Sequence, residues 1–303
     1  MTTDALSSIP PPEATVKPDF PTLYIDHSIV STEPLWPHLE QALGMGKIRL
    51  VLSLWNLYEI SRAADTPQQE RRLAFLLGFD PLWIIERVAI EKYEVRRFLW
   101  RHRYNQDHEP MAMITPYLWV VDSHLHDSRI NFGMTARQFV RGIDHTMLDP
   151  LRTLSPNALR DLQTADKELV RELQREMFMA WLNGLMPRFD PDGLVLGTEQ
   201  RDELLEFCYQ RQAQFLKECP GLAVEDALTA ARTANPRRNP TESDGPDLQH
   251  AAVAMAYCDF FFTADRYQAN CASVARRKLT GTRLAELCAN ADQLTKAVAA
   301  IHA

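Results

Sequence analysis

The chain has 303 residues, 46% of them hydrophobic, with a formal net charge of −7. That is enough for one large or two smaller domains with a real core. The acidic balance disfavours non-specific nucleic-acid binding by the whole surface, and binding would need a local basic track. No apolar stretch reaches the ~20 residues of a membrane span, and the first residues, Met-Thr-Thr-Asp-Ala, carry no basic or apolar leader, so a cytoplasmic protein is expected.

In chain order, residues 1–20 hold a triple proline at 10–12 and few large apolar groups, and read as a flexible tail. A short strand is predicted over 22–25, with Asp26 at its carboxyl end. A helix follows over 34–44, then a buried strand over 48–53, then a helix over 54–64 that carries Glu59. From 66 to 240 helical signals dominate: Thr66 as N-cap with Pro67 at the first turn, then helices over 82–103, 156–185, 199–218 and 222–234, with a Pro- and Gly-bearing loop over 187–197. The strand signal returns at 259–263, after a loop over 240–246 and a helix over 247–257. The predicted sheet is therefore assembled from both chain ends. Helical connections imply parallel pairing, and ligands in such sheets bind beyond the carboxyl ends of the strands.

Four carboxylates gather at those strand–helix junctions: Asp26, Glu59, Asp247 and Asp265, with Ser53 and Thr263 near the same edge. Converging carboxylates suit a hard divalent cation and hydrolysis by metal-activated water. Each acid also has a plain structural alternative. Asp26, Asp247 and Asp265 are placed to cap helices or turns, and Glu59 to lie on an exposed helix face.

The ordered set Ile25-Asp26, Ser53-Leu-Trp-Asn-Leu-Tyr-Glu59, Asp247-Leu-Gln-His-Ala-Ala and Thr263-Ala-Asp265 resembles the pattern of the PIN domain, a nuclease fold with a four-acid site. The resemblance covers 22–64 and 246–290, about a third of the chain. It implies an α/β class, a three-layer α/β/α sandwich on a parallel sheet. The core would be 21–65 and 241–303, with 66–240 as a helical insertion packed on it. It also implies Mg²⁺- or Mn²⁺-dependent nuclease activity, with Asp26, Glu59, Asp247 and Asp265 as catalytic, metal-holding acids supported by Ser53 and Thr263. The substrate expected is single-stranded RNA. The alternative is a catalytically silent PIN-like module that binds RNA or protein, and the insertion offers a surface to a protein partner or a second copy. The long segment between Glu59 and Asp247 departs from compact PIN domains.

Arg232, Arg237 and Arg238 precede the Asp247 segment and are candidates for phosphate contact; His250, one turn after Asp247, could face phosphate too, with packing against the neighbouring helix the favoured reading. Two other basic clusters, Arg96-Arg97 with Arg101 and Arg103 beside Trp100 and Tyr104, and Arg276-Arg277-Lys278, suit either single-stranded nucleic acid or a solvated face. Asp122-Ser-His124-Leu-His126-Asp127 is similar to the His-x-His-x-Asp-His of metallo-β-lactamase-type hydrolases, but its aspartate comes one residue early and no histidine follows. The five cysteines, 208, 219, 258, 271 and 288, contain no C-x-x-C pair and read as reduced thiols.

Overall fold

A computed structural model describes residues 20–44, 46–63, 65–125, 134–143, 160–161, 167–234, 238–239, 241 and 244–301. It opens with strand β1 (Thr22–Ile25), helix α1 (His27–Ser31), a 3-10 turn (Glu33–Leu35) and α2 (Trp36–Gly44). Next come β2 (Arg49–Leu52), α3 (Leu54–Ser61), α4 (Thr66–Leu77), β3 (Leu82–Ile84), α5 (Arg87–Arg103) and β4 (Ile114–Thr115). Helices α6 (Leu118–Leu125), α7 (Ala136–Gly142), α8 (Lys167–Leu185), α9 (Thr198–Gln210), α10 (Gln212–Glu218) and α11 (Pro220–Thr233) follow. The last elements are α12 (Asp244–Tyr257), β5 (Phe260–Phe262), α13 (Arg266–Lys278), β6 (Glu286–Cys288) and α14 (Ala291–Ala300).

The fold is α/β. Its six strands run β4-β3-β2-β1-β5-β6, parallel except for β4 on β3. Leu23 of β1 pairs with Leu50 on one side and Phe260 on the other. Every residue of β1 and β5 is buried, which is why both read as continuous apolar runs and not as alternating ones. From β1 the chain steps outward to β2 and β3, then returns to place β5 on the opposite flank of β1. The order therefore reverses between β1 and β5. The crevice beyond the carboxyl ends of those two strands is the position where parallel sheets bind ligands.

The structure corrects the expectation that 66–240 is a helical insertion. Residues 82–84 are a strand and not the start of a helix, and β4 adds another strand from the same region. Three apolar residues running into a charged helix carry no period of their own, so the helical signal of α5 absorbed them. Helix α11 also belongs to the sheet core, where Val224, Ala227 and Leu228 join Val253 and Met255 of α12. A separate helical core holds Val95, Phe98, Leu182, Leu204, Phe215 and Leu222. Helices α5 and α11 run through both cores. Polar contacts bind them: Arg87 reaches Gln249, Glu91 and Glu225, and the Glu94 carboxylate accepts the Gly221 and Leu222 N–H groups at the start of α11.

Smaller boundaries shift for local reasons. Asp65, not Thr66, caps α4 by accepting the Gln68 N–H at 2.7 Å. The helix expected over 199–218 breaks at Arg211, and the helix expected from 247 begins at Asp244. The arginines of α5 serve the helical lobe: Arg97 donates to the Glu218 carbonyl, Arg101 pairs with the Glu218 carboxylate, and Arg103 faces Glu203. Of the third cluster, Lys278 pairs with Asp226. All five cysteines are free and buried. Among the described residues no helix is long and apolar enough to cross a membrane. The tail at 1–19, His126, Asp127 and Arg237 lie outside the described residues.

Candidate active site

Asp26 follows β1 directly and is almost fully buried. Its backbone N–H donates to the Phe262 carbonyl of β5, which fixes it at the switch point. One carboxylate oxygen accepts the Ser28 hydroxyl and, weakly, the Ile29 N–H; the other accepts the Thr263 hydroxyl at 2.5 Å. Thr263 thus holds one oxygen of Asp26. Its hydroxyl also accepts the Asp265 N–H at 3.1 Å. Burial pushes the Asp26 carboxyl up to about 6, against the Ser28 and Thr263 hydrogen bonds, with Glu59 adding to the rise.

Asp247 lies in the first turn of α12, whose amino end faces the carboxyl edge of the sheet because α12 feeds β5. Burial raises its carboxyl to about 7; Glu59 and Asp26 reinforce the shift, while Arg232 and His250 oppose it. Glu59 projects from α3 and accepts from His250 Nε2 at 2.6 Å. Three of the four expected acids therefore act on one another electrostatically at this edge.

Asp265 stands apart. It caps α13 by accepting the Gln268 N–H at 2.7 Å, and is not among the charges acting most strongly on Asp26 or Asp247. A different acid reaches the edge that sequence reasoning passed over. Glu86 ends the run Leu82-Trp-Ile-Ile-Glu86 after β3. Its Oε1 is buried without a hydrogen-bond partner, and burial pushes the carboxyl up to about 7, against the charges of Arg87 and His250. The signal was present, since this run ends in an acid just as Leu-Tyr-Ile-Asp26 does.

His250 does not face a phosphate as a substrate contact. It is fully buried. Its Nδ1 lies 2.5 Å from the Tyr24 hydroxyl, which lies 2.7 Å from Ser53 Oγ. Ser53 in turn reaches the Asn56 amide oxygen, and Asn56 donates to the Ile25 carbonyl at 3.0 Å. Burial opposes the imidazolium, but Glu59, Asp26 and Asp247 outweigh it and raise the His250 pKa. Protonated on both nitrogens, the ring donates to Glu59 and to Tyr24, and the Tyr24 hydroxyl then donates to Ser53. Ser53 supports the site through this chain and caps α3 by accepting the Trp55 N–H.

Arg232 is also corrected. It is 2% exposed, and its guanidinium reaches Asp244 and Gln268 and lies 3.9 Å from Asp247. It is an internal counter-charge, closed to a nucleic-acid backbone. Arg238 pairs with Asp244 at 2.7 Å and lies over the Tyr267 ring at 3.6 Å. Those contacts place it in the frame around Asp244.

The donor set formed by Asp26, Glu59 and Asp247 is all oxygen, which fits a hard divalent cation. Burial is the main cause of the raised Asp26 and Asp247 carboxyls and the neighbouring acids add to it, a share that a cation would relieve. Asp26 accepts from Ser28 and Thr263, and Glu59 from His250. Among the described residues no group of three or more His, Cys, Asp or Glu side chains is disposed to hold an ion as it stands. Comparisons with protein families, with curated proteins and with solved structures gave no match, so the functional reading rests on the geometry alone.

Proposed function

We propose that the chain is a PIN-like, Mg²⁺- or Mn²⁺-dependent hydrolase that cuts the phosphodiesters of single-stranded RNA. The observation that carries the reading is that Asp26 at the end of β1, Asp247 in the first turn of α12 and Glu59, bound to His250 of α12, all lie at the carboxyl edge of the sheet around the switch point between β1 and β5. Asp26, Asp247 and Glu59 would hold the ion, which would supply an activated water and neutralise charge on the phosphate. The other residues prepare this edge. Ser28 and Thr263 aim the Asp26 carboxylate. His250 holds Glu59 on the side of α12, and Arg232 limits the negative charge around Asp247. Asp265 acts by fixing the start of α13 and, through Thr263, the loop beneath Asp26.

One observation favours the competing reading of a silent binding module: the absence, among the described residues, of three ligating side chains already disposed around one point. Incubation with single-stranded RNA separates the two. Cleavage in Mn²⁺ or Mg²⁺ that stops in EDTA is the expected result. Cleavage undiminished by excess chelator removes the mechanism, and protein that binds RNA and metal without cutting is the silent module.

A further inference from the structure

We infer that Arg72 and His27 form a phosphate-binding subsite beside Glu59, one that seats a backbone phosphodiester of single-stranded nucleic acid next to the acids. The inference deepens the nuclease reading and rests on it for the identity of the ligand.

His27 is the first residue of α1, directly after Asp26. Its Nδ1 is buried with no hydrogen-bond partner and stops 3.9 Å from Glu59 Oε2. The side chain is 28% exposed, so the ring still reaches solvent. Arg72 lies on α4 and is only 8% exposed. Its Nε is buried and unpartnered, and among the described residues no carboxylate forms an ion pair with it.

A buried arginine cannot shed its proton, so an uncompensated one is costly and rare. The neighbours of Arg72 show that α4 is not short of partners. Arg71 pairs with Glu33 at 2.6 Å, and Glu70 takes both Arg137 and Arg141. Phe75, one turn beyond Arg72 on the same side, stacks on Trp36 at 4.1 Å. The Glu33 and Trp36 contacts clamp α4 over the segment that follows α1, and α4 also packs on α3, the helix that carries Glu59. The nearby carboxylate, Glu59, is already held by His250.

The His27 ring can donate an N–H, and a guanidinium whose Nε has no acceptor beside it matches the oxygens of a phosphate. Among the described residues no group accepts from the Arg72 Nε or bonds the His27 Nδ1.

The test uses the full chain in EDTA, so that neither metal nor cleavage enters. Two probes are titrated calorimetrically: inorganic phosphate, and a cleavage-resistant phosphorothioate single strand. Both should bind, the strand more tightly. Arg72→Met should lose at least tenfold in affinity for both probes. It should also melt at or above the parent temperature without ligand, because an unpaired buried cation has been replaced by an apolar chain of similar length. Unchanged binding by Arg72→Met overturns the inference, as does a lower melting temperature with binding intact. Binding of free phosphate but not of the strand overturns the assignment to a backbone. If Arg72→Met does not fold, the parent decides: the Arg72 Nε–H resonance should shift on adding phosphate, and an unmoved resonance rejects the subsite. Binding through Arg72 by a protein that never cuts RNA leaves the subsite and removes the nuclease reading. Normal metal-dependent cleavage with unaltered binding by Arg72→Met removes only the subsite.

Discussion

Asp247→Asn is expected to fold, to melt at or above the parent temperature without metal, and to cut RNA at least ~100-fold more slowly, since even groups that only orient metal ligands cost 10–100-fold when removed. The stability half follows from burial. Asp247 is pushed up to about 7, first by desolvation and then by Glu59 and Asp26, so its charged form is disfavoured in the native state. An unfolded aspartate releases its proton near 3.9. Between those values the native protein binds more protons than the unfolded chain, so stability falls as pH rises from about 4 through about 7. Asp26, raised to about 6, contributes with the same sign. So does His250, whose raised pKa gives stability that is present at low pH and lost as pH rises through its native value. Thermal melts of the parent in EDTA should decline from pH 5 to pH 8 by a few kcal/mol, at about 1.4 kcal/mol per pH unit of displacement. Asp247→Asn should flatten that decline. Asparagine would also cap a helix start about as well as aspartate, so a variant with full activity and an unchanged pH profile would reduce Asp247 to a cap.

The largest loss of stability is expected from Arg232→Ala. The substitution strips Asp244 and Gln268 of a buried donor and leaves Asp247 with less compensating charge. Breaking a buried pair from one side costs about 3–5 kcal/mol, or roughly 6–20 °C in melting temperature for a chain of this order of size. Arg238 and Thr241 still bond Asp244, which places the result toward the lower end of that range. Differential scanning calorimetry checks it. Had Arg232 been a surface phosphate contact, the variant would melt normally and change only the salt dependence of RNA binding.

Much of this arrangement was legible in the residues. The runs at 22–25, 48–53 and 259–263 announced β1, β2 and β5, because strands buried on both faces must be apolar throughout. Asp26, Glu59 and Asp247 followed from their places at the ends of those runs and at a helix start. The strands β3, β4 and β6 were not legible. They have three, two and three residues, too few to show a period, and β3 flows into the charged helix α5. Glu86 was lost with it. Arg232 misled because arginine is a surface residue by default, and only its tertiary partners Asp244 and Gln268 bury it. The orphaned nitrogens of His27 and Arg72 belong to the three-dimensional arrangement alone, since α1 and α4 both pack on α3 and lie far apart in the sequence.

The central claim is that Asp26, Glu59 and Asp247 hold a hard cation at the switch point of the sheet. Anomalous diffraction from crystals soaked in Mn²⁺ at neutral pH tests it most directly. The expected map shows a peak bounded by Asp26 and Asp247, with Glu59 drawn toward it and away from His250. A map with no peak there, or with manganese bound only at acids elsewhere on the chain, would contradict the account.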